Sequence, residues 1–176
     1  MHFRPATADD VPAIAHLHAD SWRRNYRGAY ADDFLDGDVT EDRMAVWTER
    51  LSQSGDDTVT ILAELDGAFV GFAHTILDQD PRWGALLDNL HVVHDRKGQG
   101  LGTALMGRTA RAVMERRPAS GLYLWVLETN TAAQAFYEGR GGRRTERKES
   151  GPQPGGGTTT VYRYVWPDPS TLVAGR

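Results

Sequence analysis

The chain has 176 residues, 40% hydrophobic and 25% charged, with a formal net charge of −4 and no cysteine. That profile fits one globular domain, and the missing cysteines exclude disulfides, a thiolate nucleophile and cysteine-ligated zinc. The mild acidity offers no global attraction to nucleic acid, no apolar run reaches the roughly 20 residues of a membrane helix, and the first residues carry no apolar signal core. A cytoplasmic protein without nucleic-acid or membrane partners is therefore expected.

Residues 2–7 read as a short first strand. A helix follows, capped by Asp9 or Asp10, with Pro12 in its first turn where a missing N–H does no harm. Val11, Ile14, Ala15, His18 and Trp22 share its inner face. A polar stretch with Asp32, Asp33, Asp36 and Asp38 leads to a second helix from Thr40 or Glu41, with Met44, Trp47 and Leu51 inward. Residues 58–65 and 69–77 read as a hairpin turning on Asp66-Gly67. A loop spans 79–84 and a further strand 85–93.

The glycine-rich segment 98–102 then opens a helix that runs to Pro118, with Leu101, Ala104, Leu105, Thr109, Ala112 and Val113 as its apolar stripe. The unbroken apolar run 122–127 suits a strand buried on both faces. Residues 130–137 begin a short helix, ended by Gly139, Gly141 and Gly142. Residues 143–149 and 158–166 form a terminal hairpin around the glycine- and proline-rich surface loop 150–157. Residues 167–176 read as a tail. Antiparallel strands first and a strand–helix–strand–helix unit after them predict a mixed α/β sheet with one parallel crossover.

A strand, a glycine-rich turn and a helix start make an anion site, because unpaired N–H groups and the helix dipole face outward and glycine lets a phosphate touch the backbone. Residues 96–117 add Arg96, Lys97, Arg108, Arg111, Arg116 and Arg117 against Glu115 alone. On glycine content alone, a tight turn without ligand fits as well. A dinucleotide fingerprint fails because Thr103 stands at its third glycine. Residues 102–109 nearly spell a P-loop, but Arg108 replaces the lysine and the segment carries a helix stripe.

Leu90-His91-Val92 followed by Lys97-Gly98-Gln99-Gly100-Leu101-Gly102 resembles the acetyl-CoA motif of the GNAT superfamily, [QR]-x-x-G-x-[GA] after a strand ending L-x-V. Asn130-Thr131-Ala132-Ala133-Gln134-Ala135-Phe136-Tyr137 with Gly141 is similar to the family's N-x-x-A-x-x-F-Y-x-x-x-G signature. The resemblance covers roughly residues 2–166 and departs at Lys97, where the family has Gln or Arg; lysine still meets a phosphate as a point charge.

The resemblance implies a single N-acetyltransferase domain over residues 1–166 and the acyl-CoA N-acyltransferase fold: a mostly antiparallel sheet flanked by helices, with one parallel strand pair, 85–93 and 122–127, splayed around the pantetheine arm. It implies acetyl-CoA as cosubstrate, with direct transfer of the acetyl group to a primary amine, of a small molecule in the leading reading. The main chain of Leu90 and Val92 would pair with the pantetheine, the N–H near Leu90 would polarise the thioester, and Lys97, Gly98, Gln99, Gly100, Leu101, Gly102 and Thr103 would hold the pyrophosphate. Tyr137 is the implied general acid for the departing thiolate. Asn130 is a pantetheine contact or a helix N-cap, and Phe136 sits beside the cofactor in a packing role.

The family's usual Glu, four residues before Leu90, is Leu86 here, so the general base stays open among Asp88, His91 and an ordered water. Strand alternation places Asp88 with Leu86 and Leu90 and sends His91 to the other face. Trp22, Tyr26, Trp83 and Trp125 read as core or surface aromatics, while residues 22–38 fall where the family builds its acceptor pocket, their arginines and aspartates available to read a charged substrate. His16 and His18 diverge on a helix and His91 and His94 straddle a strand end, so no metal site is expected. A protein N-terminal or lysine acceptor, or a non-catalytic CoA-binding sensor domain, remain as alternatives, and the oligomeric state stays open, a homodimer included.

Overall fold

The computed structural model describes residues 1–53, 55–153 and 156–173. The chain begins with β1 (His2–Pro5) and a 3₁₀ turn (Ala8–Asp10), then α1 (Val11–Asn25), α2 (Asp32–Asp36) and α3 (Val39–Ser52). Next come β2 (Thr58–Leu65), β3 (Ala68–Asp80) and β4 (Gly84–Val92), then α4 (Leu101–Arg116), β5 (Leu122–Leu127) and α5 (Thr131–Glu138). The hairpin β6 (Arg143–Ser150) and β7 (Thr159–Trp166) and the short α6 (Ser170–Val173) complete it. The strands form one seven-stranded sheet, β1-β2-β3-β4-β5-β7-β6. Every pairing is antiparallel except β4 with β5, the mixed sheet expected above.

Local chemistry explains the boundaries. Asp66 and Gly67 both take positive φ, 53° and 79°, closing the β2–β3 hairpin, as a two-residue primed turn requires. Asp10 stands at the N-cap position of α1 without a capping hydrogen bond from its side chain. Its carboxylate is bound instead by Arg4 and by the Thr7 N–H, which lowers its pKa to about 2. α2 arises within the polar stretch 32–38 because Leu35 anchors it, fully buried. β3 continues to Asp80, shortening the expected loop.

One face of the sheet packs on α4 through Leu101, Leu105, Met106, Ala110 and Val113, with Tyr164 and Trp166 below. The other face packs on α1 and α3 through Ile14, Ala15, Trp47 and Phe72. Trp47 is fully buried, and its indole N–H donates to His18 Nδ1 at 3.0 Å, which satisfies a donor that would be costly to bury alone. The segment 167–176, read as a tail, includes α6. Leu172 is buried against the α4 core because that core offers it an apolar seat. Residues 174–176 of that tail, and Pro154 and Gly155 of the 150–157 loop, lie outside the described residues.

Candidate functional site

β4 and β5 start side by side and part. Gly84 takes φ +85°, and a Cβ there would meet Ser120 Oγ at 2.4 Å and the Gly121 carbonyl at 2.5 Å, so only glycine permits this close start. The Ala85 N–H donates to the Gly121 carbonyl at 3.0 Å, and the ladder ends after Ala85↔Leu122 and Leu86↔Tyr123. Beyond Leu86 the strands enclose a cavity of about 490 Å³. The Val93 N–H bonds Val70 of β3. By strand alternation, Leu90 and Val92 then turn their backbone groups away from β3, toward the gap.

Asp88 does not lie where alternation puts it. His74 pairs with Asn89 but Thr75 with Leu87, so Asp88 is the extra residue of a β-bulge, which re-aims the side chains that follow. Leu87 and Leu90 both pack toward α4. Asp88 faces α3, pairing with Arg50 at 2.8 Å, and His91 faces α1, with its Nδ1 2.9 Å from Ser21 Oγ. The expected opposition of Asp88 and His91 is thus corrected: both line the cavity, on the face opposite Leu90. Burial lowers the His91 pKa to about 4, against a small rise from Asp88, so its ring is neutral near pH 7.

The glycine turn closes one end of the cavity. After a 3₁₀ turn (His94–Arg96), Gly98 and Gly100 each take φ +78° with open space where a Cβ would sit. Gly100 is the N-cap of α4. Lys97, Gly98, Gly100, Leu101, Gly102 and Thr103 line the cavity; Gln99 does not and is exposed. Leu101 is 1% exposed and anchored in the core. A Cβ on Gly102 would touch the Phe136 ring at 3.3 Å, so glycine here lets α4 and α5 approach.

α5 supplies the opposite wall. Asn130 caps it by accepting from the Ala133 N–H at 3.2 Å, and it also lines the cavity with Phe136 and Tyr137. Phe136, Tyr164 and Trp166 surround the Tyr137 ring with centroids 5.4–6.1 Å away. Burial pushes the Tyr137 phenol up to about 12, so it holds its proton at neutral pH.

At the far end stand Ser21, Asn25, Tyr26 and Trp125. Tyr26 stacks on Trp22 at 5.5 Å and meets Tyr30 edge-on at 4.9 Å. The Tyr30 hydroxyl donates to Gln153 of the β6–β7 loop at 2.9 Å, tying that loop to the segment after α1. Among the described residues, Asp88 is the sole carboxylate residue lining the cavity, whereas Arg96, Lys97 and Arg140 supply its cations. Sequence reasoning missed Arg50, Ser21 and Arg140, while Asn25 falls within the stretch 22–38 expected at the acceptor pocket. The readable trace of the α1 pair is that His18, Ser21 and Asn25 continue a helical row in polar residues. Among the described residues, no group of three His, Asp or Glu side chains is arranged to hold a metal.

The family model described as "Acetyltransferase (GNAT) family" matches residues 12–141. The chain is similar to the Bacillus subtilis (strain 168) protein named uncharacterized N-acetyltransferase YuaI: 27% identity over 171 residues, 96% of this chain and 94% of that one. An uncharacterized N-acetyltransferase of Archaeoglobus fulgidus is 28% identical over 159 residues, 86% and 99% of the two chains. Among solved structures, the PaiA N-acetyltransferase of Thermoplasma acidophilum, described in complex with coenzyme A, superposes with a TM-score of 0.69. It covers 94% of this chain and 98% of that one at 17% identity, a likeness of fold.

Proposed function

From membership of the acetyltransferase (GNAT) family, to which this chain belongs, we propose that it moves an acetyl group from acetyl-CoA directly to a small-molecule primary amine, within one catalytic domain of residues 1–166. The observation that carries the reading is a cavity polarised along its length, from the cations beside the glycine turn, through the splay of β4 and β5, to Asp88. The residues fit the cosubstrate. Gly98 and Gly100 leave open the space a Cβ would fill, which a diphosphate needs to reach backbone N–H groups. Lys97 adds a point charge there. Leu90 and Val92 offer main-chain groups to an extended pantetheine as an added strand would.

Acetyl-CoA supplies an acetyl group already activated as a thioester. The Leu90 N–H polarises its carbonyl. Asp88 meets the incoming amine and receives its proton, and Tyr137 gives its phenolic proton to the departing thiolate. Asn130 keeps α5, and so Tyr137, in register with the cavity.

The test is thiol release from acetyl-CoA across a panel of small amines and lysine- or α-amino-bearing peptides. The chain has no cysteine, so every thiol detected is free coenzyme A. Turnover of small amines is expected. Faster turnover of peptides would move the acceptor to protein, and thermal stabilisation by acetyl-CoA with no turnover of any amine would leave a CoA-binding sensor.

A further inference from the structure

The two lips of the splay carry different chemistry. Leu86 and Tyr123 are the last paired residues of β4 and β5, so Asp88 and Trp125, each two residues further on, stand level across the gap. Both look away from α4. Asp88 faces α3 through Arg50, and Trp125 alternates with Leu122, Leu124 and Val126, which pack in the α4 core. Both line the cavity. Two cations crowd the half-buried Trp125 ring: the Arg163 guanidinium of β7 lies 4.5 Å from its centroid and the Lys148 ammonium of β6 lies 3.9 Å away. The register explains the convergence. Trp125, Arg163 and Glu146 form one cross-strand row, and Lys148, two residues on from Glu146, shares its face.

Arg163 is held there at a cost. Its side chain is 11% exposed, and its Nε is enclosed without a hydrogen-bond acceptor, which ordinarily destabilises. Glu146 at 2.8 Å and the rings of Trp83, Tyr123 and Trp125 offset that cost. Glu146 is thus taken by Arg163 and Glu128 by Arg147, and Lys148 meets no carboxylate among the described residues. Arg82, over Trp83, is balanced by the nearby Asp80. From lip to lip, Asp88 is matched by Arg50 and Glu146 by Arg163, so Lys148 leaves a surplus of one positive charge. An acceptor that carried only an ammonium would be repelled by that surplus. One carboxylate cancels it, and a phosphate dianion overshoots it.

We propose that the acceptor is an amine that also bears a carboxylate, an amino acid in the broad sense, with its amino group at Asp88 and its carboxylate at Lys148 on the Trp125 lip. The inference rests on the acetyl-CoA reading above and narrows its acceptor. Lys148 sets specificity and takes no part in the transfer: its ammonium, on a flexible stem, holds the carboxylate by a charge-assisted hydrogen bond. Arg163 adds its field from behind the ring. With both ends of the acceptor held, the amine is aimed across the gap at the thioester.

The experiment measures thiol release from acetyl-CoA by the full chain with matched pairs: α-, β- and γ-amino acids, each beside its own carboxamide, with kcat/KM referred to the unprotonated amine. In at least one pair the acid is expected to be favoured at least about tenfold, which one charge-assisted contact supplies, and the preference should shrink with added salt. Lys148→Gln should bring that ratio to about twofold or less, chiefly by raising KM for the acid, and Lys148→Arg should keep most of it. Lys148 is exposed, so its replacement leaves the core intact, and equal melting temperatures verify that. Carboxamides turned over as fast as their acids in every pair, or an acid preference kept by Lys148→Gln, overturns the carboxylate site and leaves acetyl transfer to small amines standing. Thiol release with none of these compounds overturns both.

Discussion

Acidification should destabilise this protein before most of its carboxylates titrate. His18, His74 and His91 are all enclosed on the α1–α3 side of the sheet, where burial opposes charging. Trp47 and Phe72 crowd the His18 ring, and Arg43 and Arg50 add repulsion. Folding lowers His74 and His91 from 6.5 to about 4, so each is neutral in the native state and free to protonate only when the chain unfolds. Below pH 6.5 the unfolded state therefore binds more protons, and stability falls as pH falls, until the native pKa is reached near pH 4.

For one such group the loss by pH 5 is about 2 kcal/mol, and for the two about 4 kcal/mol. His18, shifted the same way, adds to it. With a melting temperature moving roughly 2–4 °C per kcal/mol for a domain of this size, the midpoint should drop by roughly 8–16 °C between pH 7.5 and pH 5. Scanning calorimetry in buffers of matched ionic strength measures this. His74→Asn removes one of the three ionisations, so its pH slope should be shallower by about a third whatever its absolute stability. A wild-type midpoint constant within about 2 °C over that range, or an unchanged slope in His74→Asn, would refute the reasoning.

Three further outcomes are expected. Tyr137→Phe should lower kcat by about 10²–10³-fold, the range for loss of a general acid, with cofactor affinity nearly unchanged by calorimetry; equal turnover removes Tyr137 from the chemistry. Gly84→Ala forces a methyl to within 2.5 Å of two oxygen atoms at φ +85° and should cost about 3 kcal/mol or more, read as a lower urea midpoint. A midpoint within experimental error of wild type would mean that β4 and β5 separate freely there. Arg50→Gln frees Asp88 and Asn89 from the guanidinium that joins them. It should reduce kcat/KM about tenfold, with partial recovery in Arg50→Lys; wild-type kcat/KM in the Gln variant would show that the bulge holds itself.

Much of the architecture was legible because it is local. Alternation and helical periodicity mark β2, β3, α1 and α4, Asp66-Gly67 marks the hairpin, and the two motifs at 97–102 and 130–137 mark the walls of the cavity. α2 was missed because five residues in an acidic stretch carry no usable period; only burial of Leu35 makes them helical. Arg50 gave no signal, since a charge on a helix ordinarily faces water, and its partner stands 38 positions away.

The limit is sharpest at Asp88. The sequence by itself determined that a strand precedes the glycine turn, that Gly98 and Gly100 allow a phosphate-sized approach, and that Asn130 starts the helix bearing Tyr137. These follow from steric and hydrogen-bonding preferences within a few residues. Only the tertiary structure decided which side of the sheet Asp88 and His91 share, because one unpaired residue in the β3–β4 register inverts the alternation beyond it, and register is set between strands.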